Sequence, residues 1–215
     1  MFHAIDLETW DRKEIYERFL GYTYTVTAKV NLTHFMNQIK QRQLKFYPSI
    51  CWCIAKTVNS DCDFRFAVCD GKIGYYDCLN PCYTLKRDHA PHLFTHMVTE
   101  YQEDFSQFYS QFLIDQQKAQ AKDQLYFYGE PLSACVDISI MPQLAFDSIC
   151  YVRPAAFADL DSQNTNYAPF ITVGKYQTTP DGTFVSIAGN FNHAVNDGYH
   201  VQKFFSLFQQ VLDEF

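Results

Sequence analysis

The chain has 215 residues, enough for one sizeable hydrophobic core and short of what two full domains ordinarily need, so a single domain over 1–215 is expected. Its 17 Lys and Arg against 24 Asp and Glu leave a formal charge of −7, with charged residues at 19%; this disfavours both a nucleic-acid partner and a solvated disordered chain. Twenty Phe and 15 Tyr need a large core, an interface or a ligand pocket to absorb them.

In chain order, Tyr22 to Val30 reads as a strand. Asn31 to Gln41 follows with helical periodicity that buries Leu32, Phe35, Met36 and Ile39. A second helix is predicted from Pro48, a residue suited to a first turn, with Ile50, Cys53, Ile54, Thr57 and Val58 on one face. Phe64 to Val68, Lys72 to Tyr76 and Tyr83 to Lys86 are β-rich, and Phe105, Phe108, Tyr109, Phe112 and Leu113 mark a third helix. Cys135 to Ile140 is a further strand. Phe170 to Thr178 and Thr183 to Phe191 flank the turn signature Thr179-Pro180-Asp181-Gly182 and predict a hairpin. Val201, Phe204, Phe205, Phe208, Val211, Leu212 and Phe215 form the stripe of a last helix. These stripes are core by the bland reading of any amphipathic helix. Regular βαβ alternation is missing and no glycine-rich phosphate loop follows a strand, so the expected fold is α/β: a two-layer sandwich, a mixed sheet faced by helices.

No apolar run reaches the length needed to cross a bilayer, and the opening MFHAIDLETWDRKE lacks the basic start and apolar core of a signal peptide. A cytoplasmic protein without membrane partners is the expectation. Eight cysteines (51, 53, 62, 69, 78, 82, 135 and 150) then read as reduced and mostly buried thiols. Cys78-x3-Cys82 lacks a second pair at metal-ligand spacing. His89, His92 and His96 surround Pro91 in strand-like sequence, which spreads their rings, so no metal is assigned.

Chemistry concentrates after the last strand, in Asn192-His193-Ala194-Val195-Asn196-Asp197-Gly198-Tyr199-His200. A strand-to-helix turn holds a histidine rigidly while leaving it reachable, and an imidazole of pKa near ~6.5 suits proton abstraction at neutral pH. Asp197 is placed to fix the turn through an ion pair, and Gly198 gives the backbone room to enter the helix. Alone, a histidine such as His193 is a satisfied surface or core residue more often than a base.

This segment resembles the HHxxxDG signature of chloramphenicol acetyltransferases and, more distantly, the catalytic core of dihydrolipoamide acyltransferases. Trp10-Asp11-Arg12-Lys13-Glu14, Lys45-Phe46-Tyr47-Pro48, Phe64-Arg65-Phe66-Ala67-Val68 with Asp70-Gly71, Ala145-Phe146-Asp147-Ser148 and Tyr167 to Tyr176 recur in the family's order and spacing. The resemblance implies acetyl transfer from acetyl-CoA to a hydroxyl, without a metal. His193 would be the general base, Ser148 the oxyanion donor, Thr172 the holder of a supporting water, and Asp197 the partner of Arg12. It also implies a homotrimer with each active site between subunits, and Phe19 and Phe94 fall where the family has pocket aromatics. Chloramphenicol, whose acetylation inactivates the antibiotic, is the first acceptor implied. A divergent O-acetyltransferase for another small hydroxylated molecule and a non-catalytic trimeric binding protein are the alternatives.

The sequence departs from the family at Asn192 and Asn196, where the pattern has His and Cys. Phe19 stands where some relatives have Tyr. The segment between Phe19 and Lys29 is shorter than in relatives, and Ile149 to Tyr167 is longer. These changes predict a reshaped acceptor pocket.

Overall fold

The computed structural model describes residues 1–129, 134–151 and 165–215. The chain begins with β1 (Phe2–Ala4), a short α1 (Lys13–Arg18), β2 (Thr23–Asn31), α2 (Thr33–Gln41) and α3 (Phe46–Asn59). A 3-10 turn (Cys62–Phe64) leads to β3 (Phe66–Cys69), β4 (Lys72–Tyr76), β5 (Asn80–Lys86), β6 (Phe94–Val98) and α4 (Phe105–Gln120). Then come β7 (Cys135–Ile140), β8 (Thr165–Asn166), β9 (Phe170–Val173), β10 (Gln177–Thr179), β11 (Gly182–Asn192) and α5 (Gly198–Asp213).

The larger sheet runs β10-β11-β9-β7-β5-β6, with β2 paired along β11. It is mixed as expected: β7 pairs in parallel with β5 and β9, and the other ladders are antiparallel. A smaller sheet, β1-β4-β3-β8, sits beside the N-terminal segment. Alternation along the strands sends Val30, Val136, Ile138, Ile171, Val185, Ile187 and Phe191 into one core with the apolar faces of α2 to α5. The other face carries Thr25, Thr27, Phe170, Thr172, Ser186 and Asn190, and β2 on that side stays partly exposed.

Helix α5 follows its predicted stripe, with Val201, Phe204, Phe208, Val211 and Leu212 buried. Phe204 meets the rings of Phe64 and Phe191 and so ties the helix to β11. Its truncation to Ala is expected to cost ~3–5 kcal/mol. The second predicted helix starts two residues earlier than expected, at Phe46. Pro48 therefore lies in the first turn, where its missing N–H has no intrahelical partner to lose.

The predicted strand Phe170–Thr178 is broken into β9 and β10. The Gly174 N–H still donates to Ser186 O, but the Lys175 N–H turns to Leu144 O at 2.9 Å, so Lys175 and Tyr176 leave the ladder. The hairpin closes as predicted, Thr179 pairing with Gly182, whose φ of +139° demands glycine. The thiols are free, but only Cys51, Cys53, Cys82 and Cys135 are buried; Cys62, Cys78 and Cys150 are exposed. The expectation of mostly buried cysteines therefore holds for half of them, since the other positions fall at turns and strand ends.

Candidate active site

The chain from β11 to α5 makes a tight turn held by its own backbone and by three neighbouring elements. Asn192 O accepts from the N–H groups of Val195 and Asn196 at 3.2 and 2.8 Å, and Asn192 Oδ1 accepts from the Ala194 N–H. The His193 N–H donates to Tyr22 O at 2.8 Å, and the Tyr24 hydroxyl donates to Asn196 O. Arg12, just before α1, reaches in from the opposite side. It donates to Ala194 O at 2.9 Å, to Asp197 Oδ2 at 3.0 Å and to His193 O at 3.4 Å. A guanidinium suits this role because its planar fork serves several acceptors at once and stays charged. Trp10 anchors the approach of Arg12 by packing its ring on Tyr16 and Phe66.

Asp197 is also the N-cap of α5, accepting from the Tyr199 N–H. Burial works to raise its carboxyl, but the hydrogen bonds from His200 and Arg12 outweigh that and hold it at about 2. The His193 imidazole is clamped by aromatics. Phe19 stacks on it with ring centroids 4.2 Å apart and planes 7° from parallel, and Tyr24 packs against it at 5.3 Å. Its Nδ1 is enclosed and has no hydrogen-bond partner among the described residues.

Ser148 and Thr172 form a separate group. Ser148 is exposed in the segment after β7, and Thr172 on β9 is buried, its Oγ1 donating to Tyr151 Oη at 3.1 Å. Cys150, two residues beyond Ser148, is reached by Thr25 Oγ1 at 4.0 Å. Successive strand residues point to opposite faces: Tyr24 packs against Phe191 and His193, whereas Thr25 points to the Ser148 segment. Thr172 pairs with Ala188, four residues before the end of β11, which puts its backbone roughly 13 Å from that end at the usual strand rise. Within one chain, then, the predicted base and the predicted oxyanion group lie apart. The longer segment predicted to reshape the pocket falls mainly on 152–164, outside the described residues.

Phe94 is not beside His193 either. It lies at the start of β6, edge-on to His96, on the rim of a cavity of ≈ 880 Å³ that Phe46, Lys86, His92, Lys175 and Tyr176 also line. The three histidines diverge: His89 faces Asp123 at 3.5 Å, His92 lines the cavity, and His96 stacks on Tyr126. Among the described residues, the group spaced to hold a metal is Asp61, Cys62 and Asp63. Lys203 already pairs with both of its carboxylates.

A family model described as chloramphenicol acetyltransferase matches residues 1–209. The chain belongs to the chloramphenicol acetyltransferase family. A curated chloramphenicol acetyltransferase of Clostridium perfringens is 32% identical over all of this chain and 96% of its own length. One from Staphylococcus aureus is 31% identical over 98% of this chain and 96% of its own. A solved chloramphenicol acetyltransferase superposes with a TM-score of 0.84 at 21% identity, covering 99% of this chain and 100% of that one. The cubic core of a pyruvate dehydrogenase multienzyme complex follows with a TM-score of 0.68 at 13% identity, over 100% of this chain and 92% of that one. The family is one of acyltransferase enzymes, and the fold is shared with the acyltransferase cores. Among the described residues, no helix is long and apolar enough to cross a membrane.

Beyond the expected residues, the turn of this family member uses Asn196, Asp63, His200 and Lys203. Asn196, at the family's Cys position, is fully buried, and its Nδ2 donates to Asp63 O at 2.8 Å. The sequence signal was slight: an Asn inside a buried turn needs partners for its amide, but nothing in the spacing points to the 3-10 turn 133 residues away.

Proposed function

We propose that this single 1–215 domain is a cytoplasmic homotrimeric O-acetyltransferase that moves the acetyl group of acetyl-CoA to a hydroxyl of chloramphenicol, inactivating the antibiotic. The observation that carries the reading is the His193 imidazole, clamped by Phe19 and Tyr24 on a turn fastened by Arg12 and Asp197. A general base needs this fixed orientation, and with Nδ1 enclosed the ring acts through Nε2. His193 takes the acceptor's hydroxyl proton as the oxygen attacks the thioester carbonyl carbon. Ser148 donates to the resulting oxyanion, an interaction typically worth ~3 kcal/mol in the transition state, and Thr172 accepts from a water that supports the same intermediate. When the intermediate collapses, the C–S bond breaks and the departing CoA thiolate takes the proton back from His193, leaving an acetyl ester and free CoA. Asp197 and Arg12 hold the turn and take no part in the proton's path.

The cavity beside Phe94 suits CoA. Phe46 and Tyr176 lie with ring centroids 5.5 Å apart and offer apolar faces to an adenine, while Lys86 and Lys175 on its lining suit phosphate groups. No metal enters this chemistry. The separation of His193 from Ser148 and Thr172 within one chain supports an active site completed by a neighbouring subunit, with Phe19 on the base's side and Phe94 on the other.

A different small hydroxylated acceptor is the second reading, favoured by Phe19: its ring lies flat on the base and offers the acceptor no hydroxyl. Thiol release from acetyl-CoA, followed with and without chloramphenicol, separates the two. Release that rises with chloramphenicol and yields its acetyl ester is expected; release indifferent to the antibiotic would overturn the choice of acceptor.

A further inference from the structure

His200 lies three residues beyond Asp197 on the first turn of α5, and its side chain is only 13% exposed. Its Nδ1 is 2.8 Å from Asp197 Oδ1 and 3.2 Å from the Asp197 backbone nitrogen. One nitrogen cannot donate to the first and accept from the second. The shorter contact, to a charged oxygen, is the stronger, so we assign the hydrogen to Nδ1 as a donor to the carboxylate. On the other side of the ring, Nε2 faces Asp63 Oδ2 at 3.9 Å. The charged and titratable groups around the ring are Asp197 and Arg12 on one side, Asp63, Asp61 and Lys203 on the other, and the Tyr199 ring at 5.4 Å.

The two carboxylates flanking His200 belong to the two supports of the His193 turn. Asp197 receives Arg12 on Oδ2, so Oδ1 is left to the Tyr199 N–H and to His200. Asp63 offers its backbone oxygen to Asn196 inside the turn and its carboxylate to Lys203. With the imidazole gone, the carboxylate keeps the backbone N–H groups of Tyr199 and of residue 200 that cap the helix but loses its one side-chain donor on Oδ1, and is freer to rotate away from the position in which it holds Arg12.

Resting on the acetyl-transfer reading above, we infer that His200 is a positioning residue: it locks the Asp197 carboxylate through Oδ1 while Arg12 holds Oδ2. The His193 turn is thereby held to α1's entry, while its tie to the 3-10 turn runs separately through Asn196 Nδ2 and Asp63 O. His200 touches no substrate in this account and acts through Asp197 alone.

A double-mutant cycle tests this. In the full-length protein, His200→Leu is expected to lower kcat by ~10-fold with KM for acetyl-CoA and for chloramphenicol within ~2-fold, while His200→Gln, which keeps a donor, recovers most of the loss. In an Asp197→Asn background, His200→Leu should change kcat by less than ~2-fold, because the route it uses is already lost. A readout independent of turnover is the pair of His193 ring ¹⁵N signals in ¹⁵N-histidine-labelled protein, which should move in His200→Leu and stay near their wild-type positions in His200→Gln. Equal losses in both backgrounds, a KM increase at unchanged kcat, failure of Gln to rescue, or unmoved His193 signals would each overturn the inference. If the wild type transferred no acetyl group, the proposed function would fall, and the His193 signals would still decide the role of His200.

Discussion

The two halves of the proposed chemistry are built in opposite ways. Around His193 the backbone is fastened by Arg12, Tyr22, Tyr24 and Asn192, and the ring is held between aromatics. Ser148, by contrast, sits exposed in an irregular segment, and its hydroxyl has no hydrogen-bond partner among the described residues. A base must present one nitrogen in one direction, which one chain achieves by crowding it. An oxyanion donor needs its hydrogen free, and under the proposed intersubunit site such a group can remain open in the single chain.

Four substitutions sharpen this contrast, the largest effect first. His193→Ala should lower kcat by ~10³-fold or more with little change in Tm, because half-burial and stacking contribute less to stability than to orientation; retention of more than a tenth of the activity would remove the base from this turn. Ser148→Ala should lower kcat by ~10²-fold and leave the thermal midpoint unchanged, as befits an exposed side chain. Arg12→Ala strips three acceptors of their donor and should cost ~1–3 kcal/mol of stability together with a ~10-fold fall in kcat, measured by denaturant unfolding and by steady-state kinetics. If it altered stability alone, the turn's fastening would be structural only. Phe19→Tyr, the mildest, should keep the stack on His193 and change kcat/KM for chloramphenicol by a few-fold, with that for acetyl-CoA constant.

The same contrast has a pH signature. The Asp197 carboxyl is lower in the folded protein, at about 2, than in the unfolded chain, near ~3.9. Its contribution to stability is therefore complete above the unfolded value and is lost as pH falls through the folded one. Urea midpoints measured between pH ~4 and ~2 should fall less steeply in Asp197→Asn than in the wild type. Parallel slopes would mean that Arg12 and His200 do not hold this carboxylate.

Periodic segments were the legible part of the fold. The stripes of α2, α4 and α5 and the turn at Thr179 to Gly182 are local features, and each formed where its residues imply. The break after Val173 was not legible, because it arises when the Lys175 N–H finds Leu144 O, a partner set by tertiary packing. At the site, the pairing of Arg12 with Asp197 across 185 positions came only through resemblance to the family, since no spacing rule connects residues so distant. The stacking of Phe19 on His193 had no sequence signal beyond an aromatic residue near the right place. His200 was in plain view within the motif, yet nothing in its spacing shows that its imidazole meets the Asp197 oxygen that Arg12 leaves free.

The central claim, that a pinned base in one chain works with an open oxyanion donor in the next, is tested by mixing two crippled chains. His193→Ala and Ser148→Ala subunits, coexpressed so that the proposed trimers would assemble at random, should regain roughly a quarter of wild-type activity, because hybrid trimers would contain sites with an intact His193 and an intact Ser148 from adjacent subunits. Activity of the mixture no higher than the average of the two separate variants would contradict the account.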